Sequence, residues 1–146
     1  MDATIEIITK GNYTEEKLEK VVSFLYEYLD QYGDDRKYIR KAVDYAMAID
    51  GRPGGFIVHA EENGETVGAV VINKTGMGGY IPENILVYIA VHRNQRGKGM
   101  GKKLMQSTID NSEGDIALHV EKDNPAKFLY EKMGFTNPYL EMRWKR

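Results

Sequence analysis

The chain of 146 residues predicts a mixed α/β (α+β) fold, in which helices cover both faces of one mostly antiparallel mixed sheet. Three observations carry that class. Apolar residues recur with helical and then strand periods, giving the order β, α, α, β, β, β, α, β, α, β. An Asn63-Gly64 pair between two β-branched runs marks an antiparallel hairpin. Beyond residue 85 strands alternate with helices, as parallel connections require.

Residues 4–9 form the first predicted strand. Thr14 is an N-cap for the helix that follows, Glu15 and Glu16 suit its positive end, and Leu18, Val21, Val22, Leu25 and Leu29 line one side. Gly33 ends it. A second helix spans about 35–49, with Ile39, Ala42, Val43, Ala46 and Met47 inward, and the run Gly51-Arg-Pro-Gly-Gly55 stops it. Strands at 56–60 and 66–73 form the hairpin. A glycine-rich loop at 76–83 leads to a buried strand at 85–91. Gly97, Gly99 and Gly101 then open a helix near Met100 that presents Leu104, Met105 and Ile109. A strand at 116–121 and a helix at 125–133, C-capped by Gly134, follow. Residues 135–144 close the sheet as one or two strands.

Residues 1–146 form a single domain by length. The formal net charge of -2 argues against a general binder of nucleic acid or membrane, although the positive run at 93–103 suits a polyphosphate. The chain has no cysteine, which removes disulfides, thiol nucleophiles and zinc-thiolate sites. With no signal peptide and no membrane-length apolar run, the expected compartment is cytoplasmic. His59, His92 and His119 show no metal-ligand spacing, so no metal is expected. His59 and His92 read as structural or solvated.

Glycines after a buried strand point main-chain N–H groups and a helix N-terminus at an anion. Spacing separates the candidate ligands. A P-loop needs Ser or Thr after its Gly-Lys, but Gly101-Lys102 is followed by Lys103. A dinucleotide fingerprint needs glycine where Lys102 stands, although Glu121 keeps a weak version of that reading open.

The spacing Arg96-x-x-Gly99-x-Gly101 resembles the pyrophosphate motif of the GNAT superfamily of acyl-CoA-dependent N-acetyltransferases. The later run Lys122-Asp-Asn-Pro-Ala-Lys-Phe-Leu-Tyr-Glu-Lys-Met-Gly-Phe135 is similar to that family's second signature. Two motifs in the right order weigh more than either alone. The resemblance extends over nearly the whole chain and implies a sheet splayed at the cofactor strand, acetyl-CoA as co-substrate, and acetyl transfer to a primary amine by direct attack in a ternary complex. It also implies cofactor contacts from Ile89, Ala90 and Val91 through their backbone, from Gln95, Arg96, Gly97, Lys98, Gly99, Met100, Gly101 and Lys102 in the loop, and from Asn124 and Tyr130. Counting back from Tyr130 puts Asp123 at the asparagine position of the signature. Counting forward from Val120 puts Asn124 there, and Asn124 is the preferred contact.

By the same resemblance Tyr130 protonates the departing thiolate. A carboxylate common on the cofactor strand is replaced here by Val87 and Tyr88. His119 occupies a second family position for a base and has a pKa range suited to the task, while Glu83 with a water chain stays open. The acceptor region of such a fold contains Tyr26, Tyr28, Asp30, Tyr32, Asp34, Asp35 and the loop at 76–82. Those groups suit a cationic amine, from a small molecule or a peptide, without fixing which. An exposed edge of the closing sheet would serve a homodimer. The alternative from another class is a catalytically inactive acyl-CoA sensor of the same fold.

Overall fold

The computed structural model describes residues 3–146. The strands are β1 (Thr4–Ile8), β2 (Gly55–Glu62), β3 (Glu65–Lys74), β4 (Asn84–Val91) and β5 (Ile116–Leu118). The helices are α1 (Glu15–Tyr28), α2 (Arg36–Ala46), α3 (Met100–Asn111) and α4 (Ala126–Lys132). Sheet order follows chain order, β1-β2-β3-β4-β5, with antiparallel neighbours except for the parallel pair β4 and β5.

Alternation along the strands feeds two cores. On one face Ile57, Ala69, Val71, Tyr88 and Ala90 pack against Leu18, Val22 and Leu25 of α1 and Ile39 and Val43 of α2. On the other, Val58, Val70, Ile72 and Leu86 meet Met100, Leu104 and Met105 of α3 and Tyr130 of α4. Thr14 caps α1 by accepting from the Lys17 N–H at 3.2 Å. Arg40 on α2 bonds Glu15, Glu19 and Asp44, which aligns α2 along α1 and so positions the connection between them. No helix among the described residues is long and apolar enough to cross a membrane.

Several expected boundaries move. The first helix ends at Tyr28, before Gly33, because Asp30 takes φ +55° and starts a separate 3₁₀ turn, Asp30–Tyr32. The second helix stops at Ala46, before two left-handed residues, Ala48 and Asp50. The strand expected at 116–121 pairs only over Ile116–Leu118. Residues 135–144 form no strand. Leu140, Met142 and Trp144 alternate with polar residues as a strand would, yet they are 85%, 91% and 78% exposed. Alternation specifies a strand only where a partner edge and a face to bury against are available. Without closing strands, the edge invoked for a homodimer is not formed as expected.

Close backbone approach fixes the hairpin at Gly55. A methyl group built there would stand 1.9 Å from the carbonyl oxygen of Ile72. Gly55→Ala is therefore expected to reduce unfolding free energy by about 1–3 kcal/mol. Urea denaturation checks this, and an unchanged midpoint would show that the β2–β3 pairing yields without cost.

Candidate active site

The decisive local feature is one extra residue in β4. Val71 and Ile72 of β3 face Tyr88 and Leu86, so Val87 has no partner and forms a β-bulge. The parallel ladder between β4 and β5 ends at the same level, with Leu86 opposite Leu118. Beyond it the strands diverge, which agrees with the expected splay. Main-chain groups on the outer edge of β4 from Val87 to Val91 are thereby left without a neighbouring strand, as an extended ligand requires.

At the end of this open edge stands the glycine loop. A 3₁₀ turn, Arg93–Gln95, leads into it, and Gly97 and Gly99 have φ +78° and +83°. A Cβ at either would meet nothing within 4 Å, so the glycines serve the backbone conformation and close approach from outside. The first α3 hydrogen bond runs from the Lys103 N–H to the Gly99 carbonyl at 3.1 Å. The N–H groups of Met100, Gly101 and Lys102 precede it and have no carbonyl one turn back within the helix. With the helix dipole, they fit a pyrophosphate.

The arginines of the loop have another task. Arg96 donates to Asp30 Oδ2 at 3.2 Å and to the carbonyls of Val91 and Tyr28 at 3.1 Å each. Arg93 donates to Asp30 Oδ1 at 3.0 Å. Together they hold the Asp30 carboxyl below its usual range, Arg93 most strongly, and they tie the loop to the end of α1. Gln95 likewise bonds Glu62 at 2.9 Å. The basic side chains expected at the anion thus divide: Arg96 braces the loop, while Lys98, Lys102 and Lys103 are exposed.

Tyr130 sits on the α3 side of the open edge, 7% exposed, with its ring 6.0 Å from that of Phe135. Burial alone pushes its phenol up to about 12, and its Oη has no hydrogen-bond partner among the described residues. It is a protonated donor held in an apolar wall. Asn124 Oδ1 accepts from the Ala126 N–H at 2.9 Å and so satisfies the first N–H of α4 from just before its N-cap, Pro125. That bond uses its carbonyl and leaves the Nδ2 donors available among the described residues.

His119 lies just past the last rung of β5 and is exposed. Ile116, Leu118 and Val120 pack toward the α3 and α4 core, and His119, between the last two, is outside that cluster. The stretch after β5 comes near the α1–α2 connection. Partial burial and then the carboxylates of Asp123 and Glu121 raise the phenol of Tyr32.

Glu83 does not reach this region. It precedes β4 at the far end, about 20 Å along the strand from Ile89 at ~3.3 Å per residue. Its Oε1 accepts from the Asp115 N–H at 2.8 Å, and such backbone donors hold its carboxyl below the usual range. Its role is to pin the loop at 76–82 to the start of β5. That loop lines a second recess with Tyr45, Asn73, Ile85 and Val87. The expected acceptor groups therefore separate, since Tyr26, Asp30, Asp34 and Asp35 line a different, open recess with Gly33 and Tyr38.

The other histidines are structural. His92 Nδ1 accepts from the Asn94 N–H at 3.1 Å, which leaves Nε2–H to donate to Tyr28 Oη at 2.8 Å. His59 is fully buried between Glu6 and Thr66. With Glu61 it forms a three-residue constellation that spacing did not reveal, because its members come from two strands. The expectation of no metal-ligand grouping is corrected to that extent. Lys17 pairs with Glu6 and Lys20 with Glu61, so the carboxylates already have cationic partners.

If the loop is held by its arginine brace, Arg96→Ala should weaken coenzyme A binding by about ten-fold, the order expected for one charge-assisted hydrogen bond. Calorimetric titration measures it, and an unchanged Kd would remove the brace from the binding account.

Residues 18–135 match the family model described as "Acetyltransferase (GNAT) family". Over 84 residues the chain is 33% identical to the 5-NmdU N-acetyltransferase of Pseudomonas phage PaMx11, covering 56% of this chain and 58% of that protein. Over 81 residues it is 30% identical to N-alpha-acetyltransferase 30 of Schizosaccharomyces pombe, covering 52% and 54%. These matches span little more than half the length of either relative. The fold is shared with the crystal structure of a ribosomal-protein-alanine N-acetyltransferase from Brucella melitensis biovar Abortus 2308, at TM-score 0.68, 17% identity and full coverage of both chains. A splayed β4, a glycine loop opening α3 and a match across most of the sequence agree: the chain belongs to the GNAT acetyltransferase family.

Proposed function

We propose that this protein transfers an acetyl group from acetyl-CoA to a primary amine by direct attack within a ternary complex. The observation that carries the reading is Tyr130, a buried phenol with no partner among the described residues, beside a strand edge that ends in an anion-binding loop. The names of both relatives, N-acetyltransferases, support an amine as acceptor.

Acetyl-CoA, when bound, supplies an activated acyl group and a thiolate leaving group. The chain supplies the rest. N–H groups of Gly97, Gly99, Met100, Gly101 and Lys102 hold the pyrophosphate, and Asn124 adds a side-chain donor. The open edge at Ile89, Ala90 and Val91 aligns the pantetheine arm and gives a main-chain donor to charge developing on the carbonyl oxygen. Nitrogen forms the new C–N bond as the C–S bond breaks. Tyr130 gives its proton to sulfur and regains one from solvent, and His119, directly or through water, takes the proton lost by nitrogen. With no cysteine in the chain, no thioester to a protein thiol forms.

A sensor of the same fold would bind acetyl-CoA and release no thiol. The missing carboxylate on β4 favours that rival, and Tyr130 favours the enzyme. Thiol release with a panel of amines decides between them.

Tyr130→Phe should lower kcat by about ten-fold or more while leaving acetyl-CoA affinity in place. A kcat equal to that of the parent would remove the phenol from the mechanism. Because the phenol titrates near 12, the acid stays protonated at neutral pH, and no activity loss from its ionisation is expected below about pH 10. His119→Ala should alter the pH-rate profile, and an unaltered profile would assign the base elsewhere.

A further inference from the structure

The carboxylate that β4 lacks in sequence stands beside it in space. Tyr88, the residue after the bulge, is 8% exposed and packed among α1 and α2. Its hydroxyl leaves that core and donates to Asp34 Oδ2 at 2.5 Å. Asp34 is exposed, lies between the 3₁₀ turn Asp30–Tyr32 and α2, and opens onto the recess bounded by Tyr26 and Tyr38. Burial and the Asp34 charge keep the Tyr88 phenol protonated, so it remains a donor. A carboxylate offers about four lone-pair sites, so Oδ1 remains for a further donor.

Charge separates Asp34 from its neighbour. Asp30 is already paired with Arg93 and Arg96, whereas Asp34 has no cationic partner among the described residues. Position matters equally. Tyr130 approaches the open edge of β4 from the α3 side, and the Tyr88–Asp34 pair approaches from the α1 and α2 side. In acyl transfer the amine adds to a face of the thioester carbonyl while the acid stands beside sulfur, and separate approaches let both be present at once.

We propose that Asp34 binds the ammonium form of the acceptor, with Tyr88 as the positioning residue that holds Asp34. The acceptor is then an amine that is cationic at neutral pH and enters from the α1–α2 side of β4. This rests on the acetyltransferase reading and adds the amine contact to it. A charge-assisted hydrogen bond from the ammonium to Oδ1 would hold the nitrogen near the thioester until it loses its proton.

The test compares the parent with Asp34→Asn, Asp34→Glu and Tyr88→Phe, using 1,4-diaminobutane and a lysine-ended peptide as acceptors. Asp34→Asn should raise the amine KM by about ten-fold or more. The acetyl-CoA KM and the Tm should stay as in the parent. Asp34→Glu should recover part of the loss, and Tyr88→Phe should raise the amine KM by about three-fold. An unchanged amine KM in Asp34→Asn overturns the proposal. Calorimetric titration of the coenzyme A complex with 1,4-diaminobutane gives the same comparison without turnover. Weaker binding by Asp34→Asn supports the proposal, and equal affinities, or no binding by the parent, overturn it. Failure of the acetyltransferase reading looks different: the parent releases no thiol with any amine, while the calorimetric difference persists.

Discussion

The bulge at Val87 is the constraint on which the site depends. One extra residue bends β4 away from β5 just where their ladder ends, and it also reverses the side-chain alternation. Leu86 therefore faces the α3 core while Tyr88, two residues on, faces the α1 and α2 core. In a regular strand these residues would share a face. The same defect leaves an open edge on β4, which the proposed pantetheine contact would use, and aims Tyr88 at the α1–α2 connection.

Much of the charge near the anion loop is structural. Arg93 and Arg96 converge on Asp30, and Arg96 also bonds two main-chain carbonyls. On the proposed reading, recognition of a pyrophosphate falls to main-chain N–H groups, with the exposed lysines adding attraction. The α1 end that steadies the loop leads directly into the connection that carries Asp34, so the proposed donor and acceptor sites share one stretch of chain.

Features governed by local chemistry were legible in the sequence. Thr14 with Glu15 and Glu16 announced α1, Asn63-Gly64 announced the hairpin, and the glycine spacing located the loop that opens α3. The bulge was not legible, because an unpaired residue in an apolar strand has no composition of its own. Nor were the pairs joined across the fold. Tyr88 meets Asp34 and His59 meets Glu6 only because strand register and helix packing bring them together. The expected closing strands failed for a related reason, since Leu140, Met142 and Trp144 have the right alternation but no edge to complete it.

The most direct measurement of the central claim is amide hydrogen exchange with and without acetyl-CoA, resolved along β4 and the glycine loop. Slowed exchange is expected at residues 89–91 and 97–102, where an open strand edge and a helix N-terminus would receive the thioester arm and the pyrophosphate. Unchanged exchange at both segments under saturating acetyl-CoA would contradict that claim.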